Sequence, residues 1–184
     1  MTIFTQITKI ELLLILNFKK VAKFEEKLLV YIVISPRGVS EPFIQPSGNA
    51  VNQFIYRDNC LASLLLPFIK KYHSDENYIF WPDLASSHYA EHAIDFLCEN
   101  LVHHVDKKDN TANLPEARPI EDFWALVKNK VYENNWEAKN LEQLEVKIRK
   151  CLKEMDIATI QRTMGSVKKR LDKIRRLDII ENRK

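Results

Sequence analysis

Tyr78-Ile79-Phe80-Trp81-Pro82-Asp83-Leu84-Ala85-Ser86-Ser87-His88-Tyr89-Ala90 is the stretch whose reading decides the fold. Tyr78 to Trp81 is too short and too uniformly apolar for a surface helix, and reads as a buried strand. Pro82 has no N–H for a sheet ladder, so the strand closes there with Asp83 at its end. Ala90, Ala93, Ile94 and Leu97 then share one helical face between Tyr89 and Asn100, and Leu101 to Val105 reads as a further strand. Strand, helix and strand in that order are a parallel pair joined by a crossover helix, the unit of an α/β fold.

Upstream, Lys27-Leu28-Leu29-Val30-Tyr31-Ile32-Val33-Ile34-Ser35 is a long apolar strand, turned back by Pro36-Arg37-Gly38 onto a shorter one around Pro42-Phe43-Ile44. Pro46-Ser47-Gly48-Asn49 breaks the chain before a helix carrying Phe54, Ile55, Leu61, Leu64, Leu65 and Phe68, which Lys70-Lys71-Tyr72-His73-Ser74 ends. Downstream, Asp106 to Arg118 is a polar loop. Pro119 suits the first turn of a helix, where its missing N–H costs nothing. Ile120, Phe123, Trp124, Val127 and Val131 form the stripe of that helix, which leaves Glu121 just off the buried face. Asn140 with Gln143 opens a second helix striped by Leu141, Leu144, Ile148, Leu152 and Met155. A third is expected from about Thr159 to Leu177.

The second informative stretch is Leu114-Pro115-Glu116-Ala117-Arg118-Pro119-Ile120-Glu121-Asp122-Phe123-Trp124, and 37 residues separate Asp83 from Glu121. The chain resembles the catalytic domain of mariner-type cut-and-paste DNA transposases from about Phe24 to about Asp156. In that family the second catalytic carboxylate closes a strand and is followed by a polar turn, a His and a helix, as in Asp83 to His88. The third lies in a Pro-Ile-Glu segment followed by Trp, as in Pro119 to Trp124. The resemblance implies an RNase H-like core, DNA as partner, and Mg2+ or Mn2+ held by three carboxylates, of which Asp83 and Glu121 are two. Two metals about 3.5–4 Å apart would activate the nucleophile and stabilise the leaving oxygen.

The pattern also departs from the family. Upstream of Lys27 the only acids are Glu11, Glu25 and Glu26. Glu25 and Glu26 belong to the leading edge of the matched segment. Glu11 lies in Thr8-Lys9-Ile10-Glu11-Leu12-Leu13-Leu14-Ile15-Leu16, which does not resemble the family's opening strand. The first catalytic Asp is therefore expected to be missing, as is the paired helix-turn-helix region that grips terminal repeats.

On residue chemistry alone, Asp83 reads first as a strand-end cap of the next helix, and Glu121 as an acid favoured by the helix dipole. Asp122 reads as a solvated helix-start acid or an acceptor beside Glu121. His88 reads as a residue bonding its own turn; the resemblance, which often places His there, implies instead a group touching metal-bound water or phosphate. Cys98, His103 and His104 lack the ligand spacing of a zinc site, and Trp81, Trp124 and Trp136 read as packing.

The chain has 184 residues, 46% hydrophobic and 29% charged, which fits one folded domain. A formal net charge of +3 selects no partner class, but Ile157 to Lys184 holds nine Lys or Arg against Asp172, Asp178 and Glu181. Arg162, Lys168, Lys169, Arg170, Lys173, Arg175 and Arg176 fall on the hydrated side of the last helix. They form a solvated face, a phosphate-binding surface or a nuclear import signal. Cys60, Cys98 and Cys151 are odd in number and far apart, which suits a reduced intracellular setting. Ile10 to Leu16 falls well short of the ~20 residues that cross a bilayer, so no membrane association is expected.

The sequence thus divides into a divergent segment 1–23, an α/β RNase H-like core at 24–156 that is incomplete at its N-terminus, and a basic C-terminal helix at 157–184. The expected function is nuclear, transposase-derived nucleic-acid binding without the first catalytic Asp, with self-association possible. An active endonuclease and a non-catalytic remnant that docks a protein through an unpaired strand edge are the alternatives.

Overall fold

In the computed structural model the described residues are 4–13 (backbone alone), 27–48, 51–110, 118–165, 169–173 and 176. The sheet is built around β2 (Lys27–Ser35), in which every residue from Leu28 to Ser35 is buried. A strand covered on both faces reads as a continuous apolar run rather than an alternation. Its two edges must both find backbone partners. One edge is shared end to end by β3 (Gly38–Val39), paired at Ile34↔Val39, and β4 (Phe43–Pro46), paired from Leu28↔Pro46 to Tyr31↔Phe43. This is the expected hairpin.

The other edge corrects the sequence reading. Residues 4–13, placed outside the core and judged unlike an opening strand, form β1 (Phe4–Leu13). It runs antiparallel to β2 from Gln6↔Ile34 to Leu13↔Lys27. It is also parallel to β5 (Ile79–Phe80) at Phe4↔Ile79 and Thr5↔Phe80. The backbone donors and acceptors of β2 require that neighbour whatever the match of residues 4–13 to any family pattern. With β1 bonded on both sides, the unpaired edge anticipated for a docking protein is filled.

Helices cover both faces. On one, β2 contributes Leu28, Val30, Ile32 and Ile34. They pack on α3 (Pro119–Val131), α4 (Leu141–Lys153) and α5 (Ile157–Met164) through Ile120, Phe123, Trp124, Ile148 and Ile160. The expected stripe of α3 is buried throughout. Asn140 caps α4 by accepting from the Gln143 N–H, and Gln143 accepts from the Lys139 N–H in return. Asp156 caps α5, so this helix starts two residues before the expected Thr159. The residues between 165 and 177 that are described, 169–173 and 176, are helical.

On the other face Leu29, Tyr31 and Val33 pack on α1 (53–72) and α2 (Glu91–Glu99). α1 departs from the expected stripe. Its ends, Gln53–Ile55 and Leu66–Tyr72, are α-helical, but Tyr56–Leu65 winds wider, with i→i−5 bonding such as Leu66 N–H to Leu61 O. Its buried residues Tyr56, Cys60, Leu61 and Leu65 therefore recur at four to five, while Phe54, expected inside, is 46% exposed. The expected strand at Leu101 to Val105 is also reduced. Leu101 takes a left-handed conformation (φ 54°) and closes α2, with the Val102 N–H donating to Leu97 O at 2.9 Å. One parallel bridge, Phe80↔His104, remains. Among the described residues no helix is long and apolar enough to cross a membrane.

Candidate metal centre and nucleic-acid face

Asp83 follows β5 by three residues, and Glu121 lies in the first turn of α3. The acids belong to different layers, Asp83 beside the α1 face and Glu121 on a helix of the α3 face.

Asp83 is held by its own turn. One carboxylate oxygen, Oδ1, accepts from the Ala85 N–H at 2.9 Å and lies 2.6 Å from Nδ1 of His88. A single tight turn, Ser86–Tyr89, brings His88 back over the carboxylate. The imidazole is buried, stacked on Tyr56 at 3.9 Å between centroids and edge-on to Tyr31 at 6.4 Å. His88 is thus an interior residue whose backbone N–H bonds Ala85 O in its own turn, rather than a group displayed to phosphate. Tyr56 is carried to this place by the wide winding of α1. Burial, then the neighbouring Cys60 and Asp83, push its hydroxyl well above the usual range, so it stays a neutral phenol.

Glu121 is exposed, on a helix anchored by Ile120, Phe123 and Trp124. Its exposed neighbour Asp122 pairs with Arg170. The sequence reading missed the group that joins the two acid-bearing elements, Asn110, which is 5% exposed. Its Oδ1 accepts from Trp81 Nε1 at 2.9 Å and Arg118 Nη2 at 2.8 Å. Its Nδ2 donates to Pro82 O at 2.9 Å and Tyr89 Oη at 2.6 Å. All four capacities of the amide are used. Arg118 is the residue just before α3, so Asn110 ties the chain next to Asp83 to the start of the helix that bears Glu121. Asn in a polar loop has no periodicity by which sequence could single it out.

Hard divalent cations take oxygen ligands, so Asp83 and Glu121 are donors of the right kind. The described residues around them do not complete a three-carboxylate set. Among the described residues no three His, Cys, Asp or Glu side chains cluster as a metal site. Carrying the Thr5↔Phe80 register forward puts Thr8 level with Asp83, and β1 reads Gln6-Ile7-Thr8-Lys9 there, with no acid. Glu11 lies further along, opposite Leu29. One oxygen of Asp83 is already engaged by Ala85 and His88. The described residues do not fit the two-metal centre of the resemblance.

Of the expected nucleic-acid-binding residues, Lys169, Lys173 and Arg176 are exposed, and Arg162 donates to Thr159 Oγ1 at 3.0 Å. Arg170 anchors its segment to Asp122. Lys168 and Arg175 lie outside the described residues. Trp81 and Trp124 are buried, as packing residues should be.

No protein-family model and no curated protein sequence matches the chain. Solved structures do. The Mos1 transposase paired-end complex with left transposon end is similar over 92% of this chain and 53% of its own, at TM-score 0.75 and 15% identity. The Mos1 mariner paired-end complex with Mn gives TM-score 0.76 at 14% identity, over 92% of this chain and 53% of that one. The Mos1 transposase catalytic domain with Raltegravir and Mg gives TM-score 0.73 at 15% identity, over 92% of this chain and 80% of the domain. The chain thus spans about half the length of the transposase chains in the paired-end complexes. At these identities the likeness establishes the fold: an RNase H-like α/β core with C-terminal helices, as in the mariner transposase catalytic domain.

Proposed function

We propose that the protein is a transposase-derived nucleic-acid-binding domain that contacts DNA through its basic C-terminal residues and does not cleave it. The observation that carries this reading is the pairing of Arg170 with Asp122, which ties the helical residues 169–173 to the first turn of α3, the turn that also bears Glu121, while Lys169, Lys173 and Arg176 are exposed. Cations at that end of the fold suit a phosphate backbone approaching the acids. That no three carboxylates cluster among the described residues supports binding without cleavage. Neither Mg2+ nor Mn2+ is assigned a step. A nuclear location, served by the same basic run, and self-association belong to this proposal.

The test is salt-dependent binding to a short duplex, with and without residues 166–184, alongside plasmid nicking with Mg2+ or Mn2+. Each phosphate neutralised contributes about −0.9 to the slope of log affinity against log salt, so removing the segment should weaken binding and flatten the slope together. Unchanged affinity would overturn the binding reading. Nicking that vanishes in Asp83→Ala and Glu121→Gln would overturn the non-catalytic one and establish an endonuclease.

A further inference from the structure

A second polar site lies at the β2–β3 turn. β2 ends at Ser35, and because β1 is antiparallel to β2 and parallel to β5, that end is where β5 begins, whereas Asp83 follows the end of β5. A cavity of about 290 Å³ opens there between the β2–β3 turn, the end of α1, and α4 with α5. Arg37, Lys71, Arg149 and Lys153 line it, with Glu41 as the single carboxylate.

The two guanidinium groups are fixed from behind. Arg37 makes two 2.7 Å bonds to Asp75 and a third, also 2.7 Å, to Tyr72 O. Arg149 bonds Glu145 at 2.8 and 2.9 Å, and Pro42 O at 3.1 Å. Each of these sets uses three of the five N–H groups of an arginine, leaving donors over on a head group that is already oriented. Asp75, paired with Arg37 first of all, is held down at about 2, so the clamp persists at neutral pH. Lys71 and Lys153 are exposed and make no ion pair among the described residues; the Lys71 ammonium lies 4.7 Å from the centroid of the Tyr72 ring. Gly38 shapes the wall, since a Cβ there would lie 2.9 Å from Tyr72 Cζ. Leu152, Ile157 and Ile160 supply an apolar side.

Positioned guanidinium donors with exposed ammonium groups match the oxygens of a phosphate. An adjoining apolar wall suits a small organic group, and the volume is at the lower limit of ligand pockets. We propose that this cleft, whose lining includes neither Asp83 nor Glu121, binds a phosphate ester, independently of the function proposed above.

The experiment is a nuclear magnetic resonance titration of the full chain with inorganic phosphate, a nucleoside 5′-monophosphate and a single-stranded oligonucleotide. Wild type is compared with Lys71→Glu/Lys153→Glu and with Asp83→Ala. Saturable shifts are expected at the Ser40, Glu41 and Lys153 amides, with affinity about tenfold lower in the double variant and unchanged in Asp83→Ala. Tightest binding of the monophosphate identifies a small ester as the source, and tightest binding of the oligonucleotide at the same amides identifies a strand. Absence of shifts, shifts confined to the basic C-terminal residues, or full affinity in the double variant would overturn the proposal. Lys153→Gln, a mild change at an exposed site, gives the same reading in smaller measure should the double variant not fold.

Discussion

The two faces of β2 are built from one run of residues, yet they are organised differently. Toward α3, α4 and α5, the even-numbered side chains Leu28 to Ile34 meet helices with the ordinary repeat, and the core is aliphatic and aromatic. Toward α1 and α2, Leu29, Tyr31 and Val33 meet a helix wound wide over Tyr56–Leu65 and a set of buried polar rings, His73, His88 and Tyr56. Of the five buried polar atoms lacking a hydrogen-bond partner among the described residues, only Trp124 Nε1 belongs to the α3 face; the others are Tyr56 Oη, His73 Nδ1 and both ring nitrogens of His88. His88 Nδ1 nonetheless lies 2.6 Å from Asp83 Oδ1. The difference teaches that one face serves stability through packing, while the other accepts polar cost around a candidate site.

The sharpest test of the packed face is Phe123→Ala, which empties a fully buried position and is expected to cost about 3–5 kcal/mol in denaturant unfolding. A loss near 1 kcal/mol would show that this face is not the rigid partner. Next is the seam between the faces. Asn110→Ala removes four hydrogen bonds and leaves Arg118 and Trp81 without their common acceptor, so a loss of about 3 kcal/mol is expected. If the amide resonances near Asp83 and Glu121 move together in that variant, Asn110 couples the two elements; if only one set moves, it does not.

Smaller effects belong to the polar face. Tyr56→Phe deletes a buried hydroxyl without a hydrogen-bond partner among the described residues. It should leave stability unchanged or raise it by about 1 kcal/mol, and a marked loss would mean that the hydroxyl has a partner after all. His73, buried with Nε2 2.9 Å from Ser35 Oγ, has its pKa lowered by burial first and by Arg37 second. The unfolded chain then binds more protons than the fold near pH 6, so this contribution is complete above an unfolded value of about 6.5. It falls away as pH drops from there toward the lowered folded value. Unfolding at pH 5 and 7.5 should show that loss in wild type and less of it in His73→Gln. An identical pH difference in both proteins would assign the effect elsewhere.

What was legible in the sequence is what short-range chemistry determines. Pro82 had to end a strand and Pro119 could begin a helix, so Asp83 and Glu121 were located at element boundaries from residue order alone. The buried stripe of α3, the Asn140 and Gln143 cap and the hairpin after Ser35 follow from periodicity and turn chemistry in the same way.

What only the tertiary structure decided depends on partners distant in the chain. Residues 4–13 become β1 because β2 needs a second backbone neighbour, a demand that 4–13 do not announce. The wide turn at Tyr56–Leu65 answers to the surface it covers, and it sets Tyr56 against His88, 32 positions away. Asn110 gains its role from Pro82, Tyr89 and Arg118, and Arg170 from Asp122. Hydrogen bonds and ion pairs across such separations leave no periodic trace in sequence, because the chain entropy of closing those loops is overcome only when the whole core packs.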